Sequence, residues 1–151
     1  MEIKPKIGVE KILLGMTMNE VRSIWGDADE ISTFIPIEEN PEDRTIDWKY
    51  INSVELSFDS EDNFLLTSIT CESKSTTINN FCVMGLSPKE LKLKFPEIEL
   101  DDEYALAINE YRHPRLELSF WANNEKINAV TIYPEYDELG QNCIWPAKNA
   151  T

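Results

Sequence analysis

One short pattern occurs twice in this sequence, and that repetition constrains the fold more than any other feature. Gly15-Met16-Thr17-Met18-Asn19-Glu20-Val21-Arg22-Ser23-Ile24-Trp25 aligns without a gap on Gly85-Leu86-Ser87-Pro88-Lys89-Glu90-Leu91-Lys92-Leu93-Lys94-Phe95. Both stretches carry Gly, an apolar residue, a hydroxyl residue, Glu three positions on, an apolar residue, and an aromatic four after that. Val54-Glu55-Leu56-Ser57-Phe58 likewise aligns on Leu116-Glu117-Leu118-Ser119-Phe120. A polar turn and a second strand pattern follow each, Leu66-Thr67-Ser68-Ile69-Thr70 and Ile127-Asn128-Ala129-Val130-Thr131. The shared order favours duplication over the competing reading, chance similarity between amphipathic pieces. We expect one domain over residues 1–151, made of two repeats (about 8–72 and 81–133) and a C-terminal tail, 134–151.

The residues say what each unit should form. Thr17 with Glu20, and Ser87 with Glu90, have capping-box spacing, and Pro88 suits the first helical position. Met18, Val21 and Trp25 share a face, with Ile24 beside them; Leu91 and Phe95 are their equivalents. Gly26 can end the first helix in a left-handed C′ conformation, and Pro96 stops the second. Both helices are too short to stand alone and must lie on a sheet. Strands are expected at Glu30–Ile35, Thr45–Ile51, Val54–Phe58 and Leu65–Cys71. Alternation sets Val54, Leu56 and Phe58 against Glu55, Ser57 and Asp59. It sets Leu116, Leu118 and Phe120 against Glu117, Ser119 and Trp121, and Tyr104, Leu106 and Ile108 against Ala105, Ala107 and Asn109. Pro36–Asp43 and Ser73–Asn80 read as loops. The expected class is α+β: two tandem helix-plus-antiparallel-hairpin repeats forming one sheet, with helices on one face.

The stretch from Ile12-Leu13-Leu14-Gly15-Met16-Thr17 through Glu20-Val21 to Gly26-Asp27-Ala28-Asp29 resembles the SmpA/OmlA/BamE-like module. That module has a Leu-Gly-Met-Thr turn, a helix with Glu-Val, then Gly and an acidic residue. The second half matches loosely, with Gly85-Leu86-Ser87. Two such units in tandem are similar to a β-lactamase inhibitor protein-like architecture. The resemblance implies protein binding rather than catalysis, on a concave sheet face. Small, acidic, duplicated chains of this kind resemble cytosolic immunity proteins of bacterial toxin systems.

Charge narrows the partner. Twenty-eight acidic residues against 14 basic ones give a formal net charge of -14 and a pI near 4.4. That excludes nucleic acid and anionic lipid as bulk-electrostatic partners. It suits a basic protein, and it also suits plain solubility. The start, Met1-Glu2-Ile3-Lys4-Pro5-Lys6, leads into no apolar run, and Cys71, Cys82 and Cys143 lack disulfide or metal spacing. A cytoplasmic location is therefore expected, without cofactor or metal. The Asn149-Ala150-Thr151 sequon carries no meaning in that compartment.

No catalytic set stands out. The single histidine, His113, precedes Pro114 in an expected solvated turn. No phosphate-binding glycine loop or nucleophile elbow occurs. The chain is expected not to be an enzyme. The partner-binding candidates are the acids Glu38, Glu39, Asp43, Glu55, Asp101, Asp102, Glu103, Glu117 and Asp137, with Trp121 and Tyr136 as aromatic anchors. The bland reading of each acidic cluster is a solvated turn. The expected function is an immunity protein that neutralises a basic toxin domain, with a nuclease as the expected toxin class. The alternative is an envelope-assembly module of the BamE-like type. The chain is expected to be a monomer or a weak dimer.

Overall fold

The computed structural model describes residues 1–104 and 107–147. In chain order the elements are β1 (Glu2–Lys4), β2 (Gly8–Val9), β3 (Ile12–Leu13), α1 (Met18–Trp25), β4 (Glu30–Phe34), β5 (Thr45–Tyr50), β6 (Val54–Asp59), β7 (Leu65–Cys71), β8 (Thr77–Ile78) and β9 (Phe81–Cys82). They continue with α2 (Pro88–Lys94), β10 (Glu99–Tyr104), β11 (Ile108–His113), β12 (Leu118–Asn123), β13 (Lys126–Ile132), β14 (Glu135–Tyr136) and β15 (Cys143–Ile144).

Both helices start where side chains replace missing backbone partners. The Glu20 N–H donates to the Thr17 hydroxyl at 3.1 Å, and the Thr17 N–H donates back to Glu20 Oε1 at 3.1 Å. Ser87 and Glu90 form the same reciprocal pair, with Pro88 at the first helical position. Each cap contributes about 1 kcal/mol. At Gly26 the chain leaves α1 with φ +78 but ψ -168, an extended exit rather than the expected left-handed helical one. Val21 and Leu91 are the fully buried side chains of the two helices, and Ile24 stays 40% exposed.

The expected class is overturned by the sheets. Among the described residues the chain is mostly β, not two tandem helix-plus-hairpin repeats. An eight-stranded antiparallel sheet runs β10-β11-β12-β13-β7-β6-β5-β4, and a five-stranded sheet runs β3-β2-β1-β8-β9. The smaller sheet is built of two- and three-residue strands, too short to show a period of two. The stretch Ser73–Asn80, expected as a loop, holds β8, which pairs in parallel with β1 through Ile3 and Ile78.

Four further corrections concern the second half. β10 reads Glu-Leu-Asp-Asp-Glu-Tyr, a composition that disfavours strands, yet it pairs with β11 and leaves all six residues exposed. An outer strand can carry such charge because neither of its faces is buried. The expected strand through Tyr104, Leu106 and Ile108 is interrupted: Tyr104 closes β10, Ile108 opens β11, and Ala107 has φ +60. Ala105 and Leu106 lie outside the described residues. Leu116 and Glu117 fall in the turn before β12, where Glu117 has φ +53. His113 ends β11 and is 2% exposed, not solvated.

Where strands do alternate, the pattern builds the core. Val54, Leu56 and Phe58 of β6 are buried, as are Leu118 and Phe120 of β12 and Val130 and Ile132 of β13. Ile3, Val9, Ile12 and Ile78 of the small sheet join them in one cluster with Val21 and Leu91. Burying each such side chain stabilises by about 1.5–3 kcal/mol. After the β14–β15 hairpin the tail returns to the domain and Trp145 packs on this core. Gly15 has φ +88, and a Cβ there would lie 3.0 Å from the Trp145 ring. Of the expected C-terminal tail, all beyond Ala147 lies outside the described residues, the sequon included. Among the described residues no helix is long and apolar enough to cross a membrane.

Candidate functional site

Strand register decides which side chains share the face opposite the core. One row crosses the large sheet as Glu99, Arg112, Ser119, Thr131, Thr70, Glu55, Lys49 and Glu30. A neighbouring row runs Asp102, Glu110, Trp121 and Ala129 in one half. Its counterpart in the other half is Ser68, Ser57, Asp47 and Ser32. Because side chains alternate along a strand, all of these point away from Leu56, Phe58, Phe120 and Val130.

In the second half these residues form a connected polar network. Arg112 donates to Glu117 Oε2 at 2.5 Å and to the Ser119 hydroxyl at 3.3 Å. Its guanidinium lies 4.4 Å from the Tyr133 ring centroid. Ser119 donates onward to Glu110 Oε2 at 2.6 Å, and Tyr104 donates to Glu110 Oε1 at 3.2 Å. Burial pushes the Tyr133 phenol above its ordinary range. Trp121 Nε1 donates to the Thr131 hydroxyl at 3.0 Å, and Thr131 shares a 2.9 Å hydrogen bond with Thr70 across the two halves. The Tyr104 ring leans on Trp121 with centroids 5.7 Å apart. Beside Trp121 opens a groove of about 330 Å³, lined by Thr70, Glu72, Ile108, Asn123, Asn128, Ala129 and Thr131.

The first half of the face also carries acids, held partly by hydroxyls. Ser57 donates to Asp47 at 2.6 Å and Thr45 to Asp59 at 3.1 Å. Burial raises the Glu55 carboxyl above its ordinary value, and Asp47, Glu72 and Glu30 add to that against Lys49. Among the described residues no group of three or more His, Cys, Asp or Glu could hold a metal. His113 lies on the core side, where its Nδ1 accepts the Leu116 N–H at 3.1 Å and its Nε2 stands 3.9 Å from Glu97.

No protein-family model matches the sequence, and no curated protein matches it. Solved structures share its fold. It is similar to the uncharacterized protein yfeY from Escherichia coli, with a TM-score of 0.56 and 9% identity over 85% of this chain and 97% of that one. It is also similar to YjgB, a DUF4309 family protein from Bacillus subtilis, with a TM-score of 0.52 and 10% identity over 86% and 88% of the two chains. At such identities the likeness concerns the fold alone.

The residues singled out from sequence fall in separate places. Glu38, Glu39 and Asp43 are exposed in the loop between β4 and β5. Asp101, Asp102 and Glu103 lie on the outer strand β10 rather than in a loop. Glu55 and Trp121 share the open face. Glu117 reaches that face from its turn, through Arg112. Tyr136 is on β14. Asp137 accepts from the Gln141 N–H and from Asn142 Nδ2, both at 2.9 Å, so its carboxylate is occupied in holding the terminal hairpin. Those bonds, Asn142 first, keep its carboxyl below the usual range. Tyr133 is one of the aromatics near the acidic clusters that the sequence offers as an interface anchor; the network residues Tyr104, Glu110, Arg112 and Ser119 were not among the sequence candidates. For Glu110, Arg112 and Ser119 the signal is parity on β11 and β12, which is visible once the strand ends are known.

Proposed function

We propose that this chain is a cytoplasmic immunity protein that binds and neutralises a basic toxin domain of a bacterial competition system, such as contact-dependent growth inhibition. One observation carries the reading. A chain of net charge -14 presents an uncovered sheet face on which Trp121 borders a groove edged by Glu72. Half-buried aromatics beside carboxylates suit the Lys and Arg side chains of a partner. A nuclease is the toxin class that best fits, because the positive surface it needs for phosphate is complementary to this acidity. The acids speed encounter, and Trp121 anchors the complex.

Co-expression with the product of the adjacent upstream gene, assayed for toxicity alone, tests the reading. Growth is expected to be restored, and the two proteins to co-purify. Trp121→Ala should weaken the complex by about 2 kcal/mol, roughly thirtyfold in Kd. Failure to bind together with failure to protect would refute the proposal.

A further inference from the structure

The large sheet has two outer edges, and they differ. β10 bears Glu99, Asp101, Asp102 and Glu103, charges that reject an added strand. β4 bears only Glu30, and all five of its residues are exposed. Ile31 is 58% and Phe34 62% exposed. Register puts Ile31 beside Trp48 on the core side and Phe34 beside Thr45 on the open side. Apolar side chains thus stand on both faces of one free edge, and Ile35 and Ile37 extend them. No lysine or bulge guards β4, since its register against β5 is continuous from Glu30 to Phe34. Such an edge is a template for strand addition.

Charge identifies the occupant. Asp27, Asp29 and Glu30 stand before the apolar stretch, and Glu38, Glu39, Glu42 and Asp43 after it, all exposed. Antiparallel pairing of two β4 edges would set the first acidic group of one copy against the second group of the other, at both ends. A second copy is repelled; a strand with cations at its ends is attracted. We propose that the β4 edge accepts an extended segment of the basic partner, apolar at alternate central positions and with Lys or Arg at both ends. Backbone hydrogen bonds supply the affinity, and Ile31 and Phe34 pair with side chains on the two faces. This rests on the basic-partner reading above and adds where part of that partner docks.

The test titrates the isotopically labelled chain with a capped peptide, Lys-Lys-Thr-Val-Thr-Val-Thr-Lys-Lys, followed by amide NMR. Saturable shifts and new exchange protection are expected within Glu30–Phe34. The double substitution Ile31→Lys with Phe34→Lys should weaken binding about tenfold, as should Glu in place of the peptide's terminal lysines. Both side chains are mostly exposed, so the remaining amide spectrum should stay unchanged. Shifts centred elsewhere, or no binding, overturn the proposal. So does a dimer in sedimentation that the double substitution dissociates, since the edge then belongs to a second copy. If the toxic domain itself is lost with Trp121→Ala but held fully by the β4 variant, this inference fails while the immunity reading stands.

Discussion

Ser119 donates its hydroxyl to the Glu110 carboxylate at 2.6 Å, on a sheet face where Glu110 is only 7% exposed. No ion pair reaches that carboxylate among the described residues; hydroxyls from Ser119 and Tyr104 solvate it instead. Desolvation first, then the charge and hydrogen bond of Glu110, raise the Tyr104 phenol above its ordinary value. Glu110→Gln removes the charge and should lower the Tyr104 titration, read from its ring-carbon NMR shift against pH. An unchanged titration would show that the pair is not formed in solution.

His113 makes stability depend on pH. Burial lowers its pKa below 6.5, against a raising effect of Glu97 and with a further lowering from Arg115. The unfolded chain takes up a proton near 6.5, which the folded chain refuses until lower pH. This contribution is fully present above 6.5 and is lost as pH falls through the folded value. His113→Asn can still accept the Leu116 N–H. Urea midpoints should therefore fall less steeply between about pH 7 and 5 in the variant than in the parent.

The second helix is held by one apolar anchor and one cap. Leu91→Ala empties a fully buried site and should cost about 2–5 kcal/mol. Ser87→Ala removes the acceptor of the Glu90 N–H and should cost about 1 kcal/mol. Chemical denaturation distinguishes these magnitudes; equal losses would contradict the packing described.

The three thiols differ in access. Cys71 is buried, and that burial pushes its thiol up to about 12. Burial, then Asp62, pushes Cys143 up to about 11. Cys82 is exposed. An aromatic disulfide reagent at mildly alkaline pH should react first with Cys82. Cys82→Ser should abolish the fast phase, and fast labelling that survives it would place another thiol at the surface.

Local rules were legible in the sequence and tertiary ones were not. The Thr17 and Ser87 caps could be read because a capping box needs only four residues. β6 could be read because Val54, Leu56 and Phe58 recur at a period of two. The small sheet could not. Ile3, Val9 and Ile78 lie in strands of two or three residues, and the pairing that joins its two hairpins, Ile3 with Ile78, spans most of the first half of the chain. β10 hid behind its acids, since propensity scales describe half-buried strands. Trp121 was found through its polar neighbours in alternation. Glu110 was missed because the end of β10 and the start of β11 were read as one strand, which obscured the parity tying it to Trp121.

The two halves of the large sheet meet through three residue pairs, Val130 with Cys71, Thr131 with Thr70, and Ile132 with Ile69, where β6–β7 and β12–β13 each have six. A ribbon joined at mid-width by half as many rungs has its crease there. Each leaf keeps a full ladder of its own on either side of that joint. The groove beside Trp121 straddles that joint, with Thr70 and Glu72 on one leaf and Trp121, Asn128 and Thr131 on the other, so a ligand seated in it touches both leaves at once.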